Sequence, residues 1–182
     1  MEHILSGCQS LAGSKYLERH NKAATVLYLA LLEQLGIPPR SDDPYYKYTP
    51  DPVVENENAK VYWDKTIVTD ATVIHNRPDI TVINKANKTV SLIDVSIPSN
   101  HNIERKYTEK IDKYTDLRRE VQLMWGIKNV KTVPVIISSM GLIPKTLAQS
   151  LTELSLPLSI RRSMQKSVVL DATNIVRSFL NA

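Results

Sequence analysis

The spacing of apolar residues changes four times along this chain, and these changes constrain its fold more than any other feature. Apolar side chains recur at helical spacing in residues 14–36, with the two-residue period of strands in 60–97, at helical spacing again in 102–125, and as a strand in 130–139. Two more helical segments follow. The sequence therefore predicts a helix, three strands, a helix and a fourth strand, and then C-terminal helices. Its 182 residues fit one domain with its own core.

The first three predicted strands are neighbours in an antiparallel meander. They cover residues 60–69, 79–84 and 89–97, and Lys-Ala-Asn-Lys at 85–88 is a hairpin turn between the last two. The helix in 102–125 leads to the fourth strand, and a helical crossover makes the strands that it joins parallel. The predicted fold class is therefore α/β, with a mixed sheet of about four strands flanked by helices.

Individual residues mark the ends of the predicted helices. Ser14 is a candidate N-cap of the first helix, and Gly36 ends that helix just before two prolines. Gly126 ends the helix of residues 102–125, which is predicted to be continuous and amphipathic. The segment 38–58 is rich in Pro, Asp and Tyr, so we expect an extended loop there.

Composition excludes some classes of protein and leaves others open. Cys8 is the single cysteine, so an internal disulfide is impossible and a reducing compartment is expected. No run approaches the roughly 18 apolar residues of a membrane helix, which predicts a soluble chain with no membrane partner. The 23 Lys and Arg residues against 19 Asp and Glu residues give a net charge of +4, which permits a polyanionic partner without requiring one.

The carboxylate of Asp94 lies in an otherwise apolar strand. Side chains alternate along a strand, so Asp94 shares a face with Val90 and Leu92. Burial of an unpaired carboxylate costs several kcal/mol or more, so Asp94 must be hydrogen-bonded, protonated, paired with a cation or bound to a metal. A structural residue that caps a neighbouring loop remains one alternative.

A second carboxylate strengthens the metal-binding alternative. The predicted hairpin allows Asp79 to converge with Asp94, and two adjacent carboxylates repel unless a positive charge lies between them. Mg²⁺ suits such a site because it binds carboxylate, water and phosphate oxygens. It would act as a Lewis acid on phosphorus and activate the attacking water.

Three lysines on the following helix border its apolar stripe. Lys106, Lys110 and Lys113 fall within one narrow sector, from which an ammonium group could reach the carboxylates. There it could orient water or stabilise charge on a phosphate. The alternative is that they are surface lysines paired with Glu109 or Asp112.

The arrangement Arg77, Pro78, Asp79 and, further along, Asp94 resembles a variant PD-(D/E)xK signature. It is the signature of the restriction-enzyme-like endonuclease in the C-terminal part of site-specific non-LTR retrotransposon polyproteins, which also carry a reverse transcriptase. In the broader superfamily a lysine occupies the position of Ser96, whereas in the retrotransposon branch it has moved to the next helix. The blocks KYLERHNKAA, PVVENENAKVYWDKTI, LIDVSIP, EKIDKY and GLIPKTL are also similar to that branch.

This resemblance implies a DNA endonuclease that nicks a target site for retrotransposition. It implies Mg²⁺ or Mn²⁺ as cofactor, DNA as partner, a nuclear location and no small-molecule cofactor. Element RNA or a ribonucleoprotein would be reached only through the missing polyprotein. The implied metal ligands are Asp79 and Asp94, the implied catalytic residues are these two with Lys110 and Lys113, and the implied DNA contacts are Arg77, Lys106, Arg19 and His20.

The resemblance also suggests how the chain is divided. His3 and Cys8 have the spacing that ends a zinc knuckle, but the two upstream cysteines are absent, so we do not expect zinc here. The expected parts are a knuckle remnant (1–13), a nuclease core (14–140) and a helical extension (141–182). The rivals are a catalytically inactive nucleic-acid-binding module from a decayed element copy and a structural domain whose acids form salt bridges.

Overall fold

The computed structural model describes residues 2–8 and 12–181, and it has an α/β fold in which helices cover both faces of one mixed sheet. None of the helices in these described ranges is long and apolar enough to cross a membrane. A π-helical turn (Ala12–Tyr16) precedes α2, and a 3-10 turn (Asn100–Asn102) precedes α3. The helices are α1 (Glu2–Ser6), α2 (Leu17–Gln34), α3 (Ile103–Lys113), α4 (Thr115–Trp125), α5 (Lys145–Glu153) and α6 (Ile160–Leu180). The strands are β1 (Val53–Glu55), β2 (Ala59–Trp63), β3 (Ile80–Asn84), β4 (Thr89–Ser96) and β5 (Asn129–Ile136).

The sheet has five strands in the order β1-β2-β3-β4-β5. Strands β1 to β4 are antiparallel neighbours, and β5 is parallel to β4, which confirms the predicted meander and crossover. The predicted number of about four strands was one too low. The extra strand lies inside the predicted loop 38–58, where Val53 pairs with Tyr62 and Glu55 with Lys60. Three residues are too few to show a strand period in the sequence.

Two predicted helix boundaries were wrong. Residues 103–125 form two helices, because the backbone of Tyr114 leaves helical geometry at φ −103° and ψ 14°. Apolar spacing continues across this break, so the sequence predicted a single helix. Ser14 is not the N-cap of α2, which begins at Leu17 after the π-helical turn. The predicted stop at Gly36 is confirmed by its φ of 66°, a left-handed conformation that suits glycine.

The two faces of β4 pack against different helices. Ile93 and Val95 face a core shared with α2, α5 and α6, whereas Val90 and Leu92 pack with buried residues of α4. This alternation confirms the predicted faces of the strand. Proline at 134 lacks an amide donor, and it lies in β5, an edge strand, as the sequence favours.

The two ends of the chain were predicted to be a knuckle remnant and a helical extension. The predicted knuckle remnant falls partly outside the described residues, which exclude 1 and 9–11. The C-terminal helices, in contrast, contribute to the main core. Their buried residues in that core include Leu147, Leu151, Met164 and Val168.

Candidate functional site

The pairing of β3 with β4 brings the two predicted acids together. Ile80 is opposite Ile93 at the last pair of the β3–β4 ladder. Asp79 is next to Ile80 and Asp94 is next to Ile93, so both acids lie at this end of the hairpin. Both aspartates line a cavity of about 280 Å³ at the end of the sheet. Residues of α1, the π-helical turn, α2, α3 and β4 with the residue that follows it also line the cavity.

The side chain of Asp94 is buried, with 2 % of the residue exposed, and is fully paired. Its Oδ1 lies 2.8 Å from Lys110 Nζ, and its Oδ2 lies 3.0 Å from Lys113 Nζ. The three-residue interval puts both lysines on one face of α3. Tyr114 also donates a hydrogen bond of 2.6 Å to Oδ2. Burial alone would raise the pKa of Asp94, but the ammonium groups, Lys110 foremost, and the Tyr114 hydroxyl hold it below its usual value.

The carboxylate of Asp79 ties the start of β3 to the end of β4. Its Oδ2 accepts the backbone N–H of Val95 at 2.6 Å and lies 3.1 Å from Nε2 of His20 on α2. Burial would lower the pKa of His20, but the hydrogen bond and negative charge of Asp79 outweigh it and raise the pKa to about 9. His20 is therefore an imidazolium at neutral pH.

A buried arginine lies next to His20 in the sequence. Arg19 is 2 % exposed, lines the same cavity, and stacks with its guanidinium carbon 5.1 Å from the centre of the Tyr16 ring. Its Nε and Nη1 have no hydrogen-bond partner in residues 2–8 and 12–181. Burial lowers the pKa of Arg19, although an arginine stays charged at any physiological pH. A DNA phosphate could contact Arg19 only by entering the cavity.

Arg77 and Lys106 lie outside the cavity wall. Arg77 Nη2 forms an ion pair of 2.7 Å with Asp64, and about half of each side chain is exposed. Lys106 pairs with Glu109 at 2.7 Å, which is the arrangement that the surface-lysine alternative predicts for it. Lys110 and Lys113 instead turn inward to Asp94.

Tyr114 is the residue whose role the sequence did not reveal. Its spacing continues the apolar stripe of the helix, yet its hydroxyl makes the shortest contact of Asp94. Burial raises the pKa of Tyr114 and the adjacent carboxylate raises it further, so the hydroxyl remains a donor. A buried tyrosine needs a partner for its hydroxyl, and this was the available signal. Ser96, at the position of the superfamily lysine, also lines the cavity.

The two carboxylates differ in how readily they could accept a metal ion. Oxygen donors suit Mg²⁺, and Oδ1 of Asp79 makes no hydrogen bond within the described part of the chain. Both oxygens of Asp94 already have partners, so a metal ion there would lie next to two ammonium groups. Among the described residues, no group of three or more His, Cys, Asp or Glu side chains is arranged to hold a metal ion. An ion held by these two carboxylates would need water or phosphate oxygens as its remaining ligands.

Comparison with known proteins assigns no function to this cavity. No family model matches the chain, and no curated protein matches it significantly. The chemistry of the cavity is therefore the basis for a functional assignment.

Proposed function

We propose that this chain is a Mg²⁺-dependent or Mn²⁺-dependent DNA endonuclease domain of the restriction-enzyme-like kind found in site-specific non-LTR retrotransposons. One observation carries the proposal. Two aspartates lie at the same end of the β3–β4 hairpin and line one cavity, where two lysines of the next helix pair with Asp94. The proposed reaction is hydrolysis of a phosphodiester, which would nick the target site in the nucleus.

Each residue has a distinct proposed role. Asp79 and Asp94 would hold the ion, which when bound supplies a Lewis acid at the phosphate and a more acidic water. Lys110 or Lys113, both in the cavity wall, would donate a hydrogen bond to a phosphate oxygen or orient the attacking water. Arg77, in the exposed segment before Asp79, would contact the DNA backbone.

Lys106 would make a similar contact on the exposed side of α3. Such phosphate contacts fix the position of the duplex but do not read its sequence. Polymerisation and binding of element RNA would belong to other parts of a polyprotein.

A specific observation favours a second candidate, a module with the nuclease fold that binds nucleic acid without cleaving it. Asp94 already has three partners, and two of them are cations. A buried carboxylate with such compensation has no electrostatic need for a metal ion. This candidate keeps the DNA partner and loses the cofactor.

A plasmid-nicking assay distinguishes the two candidates. The purified chain is incubated with supercoiled DNA in Mg²⁺, Mn²⁺ or EDTA, beside the variants Asp79→Asn and Asp94→Asn. Asp112→Asn is the matched control, because Asp112 is an exposed residue of the same helix as the lysines and does not line the cavity. We expect the rate of metal-dependent nicking to fall about 100-fold or more in the first two variants and to be unchanged in the control. A loss of this size is typical when a group that stabilises the transition state is removed. If the wild type nicks no more than both site variants do, the endonuclease proposal is rejected and the non-cleaving nucleic-acid-binding module is retained.

A further inference from the structure

The cavity holds more positive than negative charge. Three basic residues, Arg19, Lys110 and Lys113, line it together with two acidic ones, Asp79 and Asp94. The three positive and two negative charges leave an excess of +1 before any charge on His20 is counted. An anion is therefore the type of ligand that would balance the cavity without removing any of its ion pairs.

Arg19 has two buried donor nitrogens, Nε and Nη1, without a partner among the described residues. The residue is 2 % exposed, whereas Lys110 and Lys113, which line the same cavity, both pair with Asp94. Burial of an unpaired charged donor is costly, so such a group calls for a ligand or another compensation. The planar guanidinium also suits phosphate, because it can donate two parallel hydrogen bonds to it.

The walls of the cavity leave room for such a ligand. Arg19 and His20 are contributed by α2, and the two lysines are contributed by α3 across the end of β4. The volume of about 280 Å³ is several times the ~30 Å³ that one water molecule occupies in the liquid. A tetrahedral oxyanion with part of its hydration shell can be accommodated between the two helices.

We infer that this cavity binds a phosphate group of a nucleic acid directly, without a divalent ion, and that Arg19 is its anchor. The inference rests on the proposed function for the identity of the ligand, but it requires no cleavage. The phosphate is held between Arg19 and the lysines, so substrate binding precedes and does not depend on the metal. Both a terminal phosphate and a phosphodiester have this chemistry.

One structural alternative must be distinguished. Asp171 is also buried, and its Oδ2 has no partner in the part of the chain that the structure describes, while its Oδ1 lies 2.8 Å from Lys22 Nζ. The negative charge of Asp171 opposes the lowering of the Arg19 pKa, so the two groups are near enough to interact. A bridging water could satisfy both, and Arg19 would then serve the fold alone.

The test is phosphate binding by the full chain in EDTA. Inorganic phosphate is titrated at constant ionic strength, set with chloride, and affinity is measured by calorimetry and by the rise in melting temperature. We expect Arg19→Met to weaken binding at least tenfold and Arg19→Lys to weaken it less. Arg162→Met is the control with the same charge change, since Arg162 is exposed on α6 and does not line the cavity. It should bind phosphate as the wild type does.

The Arg19→Met variant should fold, because a long apolar side chain replaces an unpaired buried cation. Its melting temperature without phosphate checks this. A folded Arg19→Met that binds phosphate with wild-type affinity would overturn the inference and leave the water bridge to Asp171. Arg19→Lys provides the same comparison if the methionine variant is unfolded.

Two further ligands identify the type of phosphate. A nucleoside 5′-monophosphate carries a terminal phosphate, and a dinucleoside monophosphate carries a diester alone; binding of either one that depends on Arg19 supports the inference. Failure of the plasmid assay with phosphate binding retained would reject cleavage and keep the anion site. If the chain nicks plasmid but its phosphate binding does not depend on Arg19, the proposed cleavage is kept and the anion site is rejected.

Discussion

At the scale of single residues, the site is a set of acids that are each stabilised by partners far away in the sequence. The carboxylate of Asp94 was predicted from the sequence to need a partner, because it interrupts an apolar strand face. Which cation supplies the charge depends on how α3 is rotated over the sheet, and the structure has both Lys110 and Lys113 there. The hydroxyl of Tyr114 could not be assigned by spacing, since the same position also continues the apolar stripe.

The ion pair of His20 with Asp79 predicts how stability depends on pH. The pKa of His20 rises from its ordinary value of 6.5 to about 9 in the folded chain, so the folded state binds this proton more tightly than the unfolded state does. The stabilisation is fully present below pH 6.5 and is lost as the pH rises through about 9. Allowing for partial exposure of the pair, we expect it to contribute about 2 kcal/mol.

Urea unfolding of wild type and His20→Gln measures this contribution. The free energies of unfolding should differ most near pH 6 and should converge above pH 9. His75→Gln, a change of an exposed histidine, is the matched control and should follow the wild type at every pH. A constant difference between wild type and His20→Gln from pH 6 to 10 would contradict a charged pair with Asp79.

At the scale of elements, the sequence was sufficient for the order and direction of the long strands, but not for the break in the helix that supplies the lysines. The strand period and the helical crossover define four strands. The side chains of β4 alternate between its two buried faces as expected. The break at Tyr114 leaves the apolar period intact, because Leu117 and Val121 continue the buried stripe in α4. At this break Tyr114 donates a hydrogen bond to Asp94, a tertiary contact that the apolar period does not reveal.

The end of α4 gives a prediction that depends on backbone conformation alone. Gly126 has a φ of 63°, and a Cβ added there would meet no atom within 4 Å. Gly126→Ala should therefore destabilise the fold by about 1 kcal/mol, through left-handed strain without a steric clash. Gly126→Asn is the matched variant, and it should cost less because asparagine tolerates this conformation better.

Both variants are measured by urea unfolding at one pH. The order of stability should be glycine, asparagine, alanine. An alanine variant as stable as the wild type would mean that the helix ends in another way.

At the scale of the whole molecule, the sequence indicated a boundary near residue 140, where the last strand ends and the helical tail begins. In the structure, buried side chains from both sides of this boundary belong to one core. Met164 and Val168 of α6 are fully buried in the same cluster as Leu27 of α2 and Val95 of β4. The spacing of apolar residues in a sequence shows that a helix has a buried face. It does not show which part of the protein that face packs against.

This shared core predicts that a mutation in the C-terminal helix affects the entire chain. Met164→Ala removes a fully buried side chain and should lower the free energy of unfolding by about 2–5 kcal/mol. Leu170→Ala is the matched control on the same helix, because half of Leu170 is exposed, and it should cost much less.

Urea unfolding followed by both circular dichroism and tryptophan fluorescence should give one coincident transition in each variant. Trp63 and Trp125 lie within 14–140, so the fluorescence reports on that part of the chain. Fluorescence that keeps its wild-type midpoint in Met164→Ala, while the circular dichroism shifts, would show that residues 141–182 are a separable extension after all.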